Sequence, residues 1–250
     1  MTKSDPLKKF GLLGRNIDYS FSRNYFSDKF RKEKLLHHSY VNFDLPSLEG
    51  FKMLLKQEKN LCGLNVTIPY KKEIIPYLDE LAEESIAIGA VNTIKWGANG
   101  KSIGHNTDYI GFLKALEENG TTTPKKALVL GTGGASGAIT YALGKINCET
   151  VLVSRTASET TLSYSAITQE LINSVDLIVN TTPLGTYPEI NRAPDLPFHL
   201  LNKQHLFFDL IYNPSETLSM KKAKERGARV INGYKMLVYQ AEKSWELWNQ

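Results

Sequence analysis

The chain has 250 residues, 42% of them hydrophobic, with 30 basic and 26 acidic side chains for a formal charge of +4. That is enough apolar material for an ordinary globular core, and too mild a charge to argue for nucleic acid as a partner. Two cysteines, Cys62 and Cys148, lie far apart, which excludes a disulfide framework or a CxxC site, and no run of about eighteen apolar residues offers a membrane span. The expectations are a reducing, cytoplasmic setting with no metal, since five histidines show no HxxxH or HExxH spacing.

Apolar β-rich runs alternate with helical periodicity, the pattern of an α/β protein with largely parallel sheets. Strands are expected at 9–14, 39–45, 62–67, 90–96, 127–131, 150–155, 176–182, 206–212 and 228–233. Between them, "LPSLEGFKMLLKQE" reads as a helix capped by Ser47, and "WGANGKS" as a hairpin turn between 96 and 102. "DYIGFLKALEENG" spaces Ile110, Leu113 and Leu116 on one face and stops at Gly120. The last helix puts Leu237, Ala241, Trp245 and Trp248 along one stripe.

A polar linker, "ENGTTTPKK" at 118–126, separates two groups of strands, and the boundary is placed one helix earlier. Residues 1–105 form the first domain, completed by the helix at 234–250, and residues 106–233 the second.

Chemistry-bearing residues cluster at the ends of these strands. "ALVLGTGGASGAITYAL" follows a strand and opens a helix, so Gly131, Gly133 and Gly134 stand where a phosphate-binding turn needs missing side chains; Ala135 follows, and Ser136 takes the third fingerprint position. The next strand ends in Ser154, Arg155 and Thr156, where an NAD-binding protein usually places an acid for the ribose 2'-hydroxyl. A guanidinium forks onto a 2'-phosphate and hydroxyls add donors, so the cofactor inferred is NADP. "NTTPLG", with Thr181, ends the following strand at the same carboxyl edge.

In the first half, "GLNVTIPYKKE" runs an apolar strand straight into two lysines. Thr67, Pro69 and Lys71 make sense if the strand delivers a polar end to a cleft and the proline ends the pairing. "GAVNT" with Asn92 and "GHNTDYIG" with Asp108 present further polar groups at element ends. Taken singly, Asn92 reads equally as a turn former and Asp108 as a helix N-cap.

Taken together, "GLLGRNIDYSFS", "NVTIPYK", "GAVNT", "HNTDYIG", "GTGGAS", "SRT", "NTTPLG", "FDLIYNPSET" and "GYKMLVYQ" follow the order of the shikimate dehydrogenases, and the sequence resembles that family from residue 10 to 240. The resemblance implies a two-domain α/β enzyme, an N-terminal substrate domain plus a Rossmann NADP-binding domain, that reversibly reduces 3-dehydroshikimate to shikimate on the route to chorismate and aromatic amino acids. It assigns Ser20 and Ser22 to the substrate carboxylate, and residues two apart in an extended segment do share a face. It assigns Lys71 and Asp108 to proton transfer, with Lys71 as acid/base and Asp108 orienting it; the sequence does not decide which of the two holds the proton. Thr67, Asn92, Tyr212 and Gln240 match substrate-binding positions, and Gly233 at the start of the last helix joins the cofactor set.

The sequence departs from the family where "YSFSRNYF" lacks the proline and histidine usual beside the serines, where Tyr109 follows the aspartate in place of glycine, and where "SRT" replaces "NRT". A quinate or dual quinate/shikimate dehydrogenase, often using NAD, is the neighbouring alternative, and a noncatalytic nucleotide sensor the alternative of a different class. Monomer and homodimer are both open.

Overall fold

The structure, a computed structural model, describes residues 6–18, 20–120 and 123–250. The chain divides into two compact units, one running up to Thr107 and including Ala241–Gln250, the other from Asp108 to Gln240. Among the described residues no helix is long and apolar enough to cross a membrane.

The first unit contains β1 (Lys8–Gly14), α1 (Phe21–Lys32), β2 (His38–Asp44), α2 (Phe51–Gln57), β3 (Leu61–Val66), the single turn α3 (Tyr70–Glu73), β4 (Glu80–Leu81), α4 (Glu83–Ile88), β5 (Thr93–Trp96) and β6 (Ser102–His105). Its six strands lie in the order β2-β1-β3-β5-β6-β4. β1 pairs parallel with β2 and β3, and β4 with β6, but β3–β5 and β5–β6 are antiparallel. This sheet is therefore mixed. The cause is the short Gly/Asn turn between β5 and β6, closed by Gly97 N donating to Lys101 O at 2.9 Å, because strands joined so tightly can only run antiparallel.

Alternation along these strands fills two cores. Leu13, Phe43, Leu64, Val66 and Ile94 face one side with Phe51, Tyr70 and Ile74. Phe10, Leu12 and Tyr40 face the other, with Phe26 and Phe30 of α1 and with Ala241, Trp245 and Trp248 from the end of the chain. Phe26 is the hub of that aromatic side: its ring lies 4.6 Å from Tyr40, 5.4 Å from Trp248 and 5.9 Å from Phe30, all centroid to centroid.

The second unit contains α5 (Asp108–Glu118), β7 (Lys126–Leu130), α6 (Gly134–Lys145), β8 (Glu149–Ser154), β9 (Thr161–Ser163), α7 (Gln169–Ser174), β10 (Leu177–Asn180), β11 (Leu206–Asp209), α8 (Leu218–Glu225), β12 (Arg229–Ile231) and the start of α9 (Tyr234–Trp248). Every strand pair is parallel, in the order β12-β11-β10-β7-β8-β9. Both faces are covered, as a parallel sheet requires. Val129, Val179 and Phe208 pack under α5, α6 and Met236 of α9, while Leu128, Ile178 and Phe207 pack under α7, α8 and the 196–201 segment.

Some local expectations are corrected. The buried stripe of α5 is Gly111, Phe112, Ala115 and Leu116, with Ile110 and Leu113 only half-buried, because the Phe112 ring claims the core position. Ser47 makes no cap bond; the segment starts as a 3-10 turn over Leu48–Gly50, and the α-helix holds only from Phe51. Residues 90–92 are not in a strand, and β4, β6 and β9 are strands that the apolar pattern was too short to reveal. The last helix, assigned whole to the first domain by its stripe, is divided: residues through Gln240 belong with the second unit and only those from Ala241 with the first.

Removing the hub ring should cost far more than shortening it. Phe26→Ala is expected to destabilise the first unit by about 3–5 kcal/mol, as large-to-small core substitutions of aromatics do. Tryptophan emission during urea unfolding will report it, since Trp245 and Trp248 stand in the same cluster.

Candidate active site

In the first unit, the segment that leads to the two serines is braced by β2. Asp44 accepts from the backbone N–H of Asn16 (2.9 Å) and Ile17 (3.2 Å), and Asn42 donates to the Ile17 carbonyl at 2.8 Å. These bonds shape a loop that lacks the family's proline and histidine. Ser20 stands at the N-cap of α1 without capping it, and its buried hydroxyl has no partner among the described residues. A buried donor left this way costs free energy until a ligand takes it. Ser22, also buried, lies within α1 and not in the extended segment expected, because the helix starts at Phe21; it meets the Tyr40 hydroxyl.

Thr67, Lys71 and Asn92 are gathered by backbone bonds. Thr67 N donates to Leu13 O at 2.9 Å, Val66 N to Asn92 O at 2.8 Å, and Val91 N to Lys71 O at 2.7 Å. The short helix that carries Lys71 is thereby tied to the segment that carries Asn92. Pro69 sits at the N-cap of α3, after Val66 has ended the strand.

The Asn92 side chain has a fixed sense. Its Oδ1 accepts from Thr107 N at 2.7 Å and its Nδ2 donates to Thr107 Oγ1 at 3.0 Å. A backbone N–H can only donate, so Oδ1 is the acceptor end and the orientation of the buried Asn92 amide is fixed.

In the second unit, the expected cofactor residues lie along the carboxyl ends of the parallel strands. Gly131 follows β7 with φ 107°, and a Cβ there would stand 2.8 Å from Thr181 Oγ1, so only glycine fits. Thr181 clamps the turn, its N and Oγ1 donating to Leu130 O at 2.9 and 2.7 Å. Gly133 and Gly134 open α6, with open space where a Cβ on Gly133 would be. Ala135 is half-buried, and Ser136 is buried, its hydroxyl donating to Gly133 O at 2.6 Å. At the end of β8, Ser154 is half-buried while Arg155 and Thr156 are exposed. Tyr212 is half-buried after β11, and Gly233 N donates to Ile211 O at 3.0 Å.

Asp108 is the first residue of α5 and is buried. Gln240, also buried, lies where α5 and α9 cross backbone to backbone: a Cβ on Gly111 would be 2.5 Å from Met236 O and 3.0 Å from Gln240 N.

Sequence reasoning missed what holds these strand ends. Asp209, the fully buried end of β11, accepts from Asn180 Nδ2 (3.0 Å), Ile211 N (3.1 Å) and Thr217 Oγ1 (2.6 Å). Asn180 in turn accepts from Thr182 N and Oγ1 at 3.1 and 2.7 Å. Burial outweighs these bonds and pushes the Asp209 carboxyl from 3.8 up to about 6. A polar residue inside "FFDLIY" was the available signal.

The order of the second sheet is that of the doubly wound dinucleotide-binding proteins, and the glycine turn and Arg155 occupy the strand ends at which such sheets bind. With the mixed α/β unit, its buried serines and its half-buried lysine, the class is a two-unit α/β protein pairing a dinucleotide-binding unit with one built for a small polar ligand. The family model described as the shikimate dehydrogenase substrate binding domain matches residues 12–94. The shikimate dehydrogenase (NADP(+)) of Methanococcus maripaludis is 41% identical over 96% of this chain and 91% of its own length. The crystal structure of the Thermus thermophilus shikimate 5-dehydrogenase, in complex with NADP(H) and shikimate, is 31% identical with a TM-score of 0.86, over 96% of this chain and 93% of that one. Quinate dehydrogenase from Corynebacterium glutamicum in complex with NAD is 27% identical with a TM-score of 0.84, over 98% and 94% of the two chains. The chain belongs to the shikimate dehydrogenase family.

The raised carboxyl gives a pH signature. The folded state holds the Asp209 proton more tightly than the unfolded chain, so this contribution to stability is full below about pH 3.8 and lost as the pH rises through about 6. Asp209→Asn, which cannot ionise, should therefore gain on the wild type by roughly 2 kcal/mol between about pH 4 and about pH 7 in urea titrations. A difference that stays flat with pH would show that Asp209 does not titrate there.

Proposed function

We propose that the protein catalyses the reversible, NADPH-dependent reduction of 3-dehydroshikimate to shikimate, the reduction step on the route to chorismate. The observation that carries the reading is the buried Ser20 hydroxyl, without a partner among the described residues and two residues from Ser22, a donor suited to an acceptor-only group such as a carboxylate. The other residues proposed for the substrate suit a carboxylated polyol: Thr67, Asn92 and Gln240 for the ring hydroxyls, with Tyr212 as a further substrate-binding residue.

The second unit's residues fit the dinucleotide. The turn at Gly131 has no room for a side chain, the space over Gly133 is open, and the amides that open α6 suit a pyrophosphate. Gly134, Ala135, Ser136, Thr181 and Gly233 complete the cradle, while Ser154, Arg155 and Thr156 take the 2'-phosphate. When bound, the cofactor supplies or receives the hydride. Lys71 gives a proton to the substrate's oxygen during reduction and takes it back in the reverse direction; Asp108 is the carboxylate that orients it. A cytoplasmic setting accords with two cysteines too far apart in sequence to form a redox motif.

NADP should be reduced on mixing with shikimate, and much more slowly with quinate at equal concentration; faster turnover of quinate, or of NAD, would move the assignment to the quinate branch. Lys71→Ala should lower kcat by about 10²–10⁴ with a far smaller change in KM. Arg155→Ser should raise the KM for NADP by about 10–100-fold, the worth of a charge-assisted bond, and leave use of NAD nearly unchanged.

A further inference from the structure

Two buried polar side chains stand side by side at the carboxyl edge of the second sheet, outside the set of residues that cradle the dinucleotide. Asn180 ends β10 in register with Leu130 of β7 on one side and Asp209 of β11 on the other. Asn180 and Asp209 are fully buried. The two residues after Asn180 lie against the glycine turn: a Cβ on Gly131 would stand 2.8 Å from Thr181 Oγ1 and 3.1 Å from Thr182 Cγ2. Thr181 is tied to β7 through Leu130 O, and Thr182 is held by Asn180, whose Oδ1 accepts from the Thr182 N–H at 3.1 Å and its hydroxyl at 2.7 Å. Thr182 Oγ1 accepts in turn from Leu184 N at 3.4 Å, so one amide shapes residues 181–184.

Donor counting fixes the pair. The Thr182 N–H can only donate, so Oδ1 of Asn180 faces the loop and Nδ2 faces Asp209. Asp209 Oδ1 takes that Nδ2 at 3.0 Å and Ile211 N at 3.1 Å, both committed donors, so this oxygen carries no proton. When Asp209 is protonated, the proton sits on Oδ2, 2.6 Å from the Thr217 hydroxyl. The oxygen that orients Asn180 is therefore an acceptor whatever the charge, and an acceptor is all that the loop requires. Without it Nδ2 becomes a buried donor with no partner among the described residues, and nothing holds the amide in the sense that serves Thr182.

We propose that Asn180 is a positioning residue for the dinucleotide: oriented by Asp209 Oδ1, its amide holds the 181–184 loop on the glycine turn in the shape that takes the cofactor. The inference rests on the cofactor reading of that edge given above. Steady-state kinetics on the full chain, with NADP and shikimate varied in turn, test it. Asn180→Ala should raise the KM for NADP about 5–10-fold, the worth of one hydrogen bond to the loop, with kcat and the KM for shikimate held within about twofold. Asp209→Ala should give the same split and add little in the Asn180→Ala background, because its effect runs through that amide. Asp209→Asn, which keeps an oxygen toward Ile211 N and Asn180 Nδ2, should return most of the affinity for NADP lost in Asp209→Ala. Should a buried variant fail to fold, Thr182→Val, at a half-buried position, removes the shorter of the two loop bonds and must raise the KM for NADP while sparing that for shikimate.

The inference is overturned if Asn180→Ala leaves the KM for NADP unchanged while Arg155→Ser raises it. It is also overturned if the two KM values rise alike, if the loss in Asp209→Ala is the same with and without Asn180, or if Asp209→Asn does no better than Asp209→Ala. If Arg155→Ser also leaves the KM for NADP unchanged, the cofactor reading itself fails and the inference falls with it.

Discussion

The first unit depends on one constraint: an amide buried in an apolar strand must have every bond made. Asn65 stands between Leu64 and Val66, and the alternation that sends those two into one core turns Asn65 toward the aromatic side of the sheet. There a bare amide would cost on the order of 1–3 kcal/mol, so the surface that covers it must bring partners of its own. Tyr40 comes from β2, Thr93 from β5 and Ser244 from α9. The helix that packs Trp245 and Trp248 on Phe10 and Phe26 therefore also supplies the hydroxyl that Asn65 needs, and the choice of register for α9 is made by polar matching as much as by apolar fit.

The second unit obeys the same rule with a charge. Its sheet is closed by helices on both faces, so a carboxyl at the end of β11 has no route to water. Asp209 is tolerated because Asn180, Ile211 and Thr217 surround it with donors, and this ties β10, β11 and the start of α8 into one block at the strand ends. The loop after Asn180 takes its shape from that block through Thr182, while Thr181 faces the glycine turn. A dinucleotide-binding edge needs such a fixed base, because the turn it presents has few side chains with which to hold itself.

Much of this was legible in sequence because the strands of the second unit are long apolar runs and its turn needs glycine for a steric reason. The motif residues were legible as types: Ser20, Thr67, Lys71, Asn92 and Asp108 all stand at element ends. The polar braces were not. Asn65 and Asp209 each read as one polar letter in an apolar run, and their partners are remote in sequence, so no local periodicity connects Asn65 with Ser244 or Asp209 with Thr217. The stripe of α5 was misjudged for a related reason, since a half-turn shift of an amphipathic helix leaves the spacing intact and only the packing of Phe112 decides it. The mixed sheet is half visible in sequence, since the Gly/Asn turn marks the antiparallel pair β5–β6 while nothing local marks the antiparallel pairing of β3 with β5.

The assignment of Ala241–Gln250 to the first unit has a bearing on biosynthesis. A nascent chain leaves the ribosome from its N-terminus, and domains generally fold as units in that order. Here the strands of the first unit wait for a segment that follows the whole of the second, because the aromatic core around Phe26 lacks Trp245 and Trp248 and Asn65 lacks its hydroxyl until then. The second unit, continuous from Asp108 to Gln240, needs no residue from outside its own span to complete its sheet, and the two units therefore differ in how far along the chain their last strand-covering residues lie.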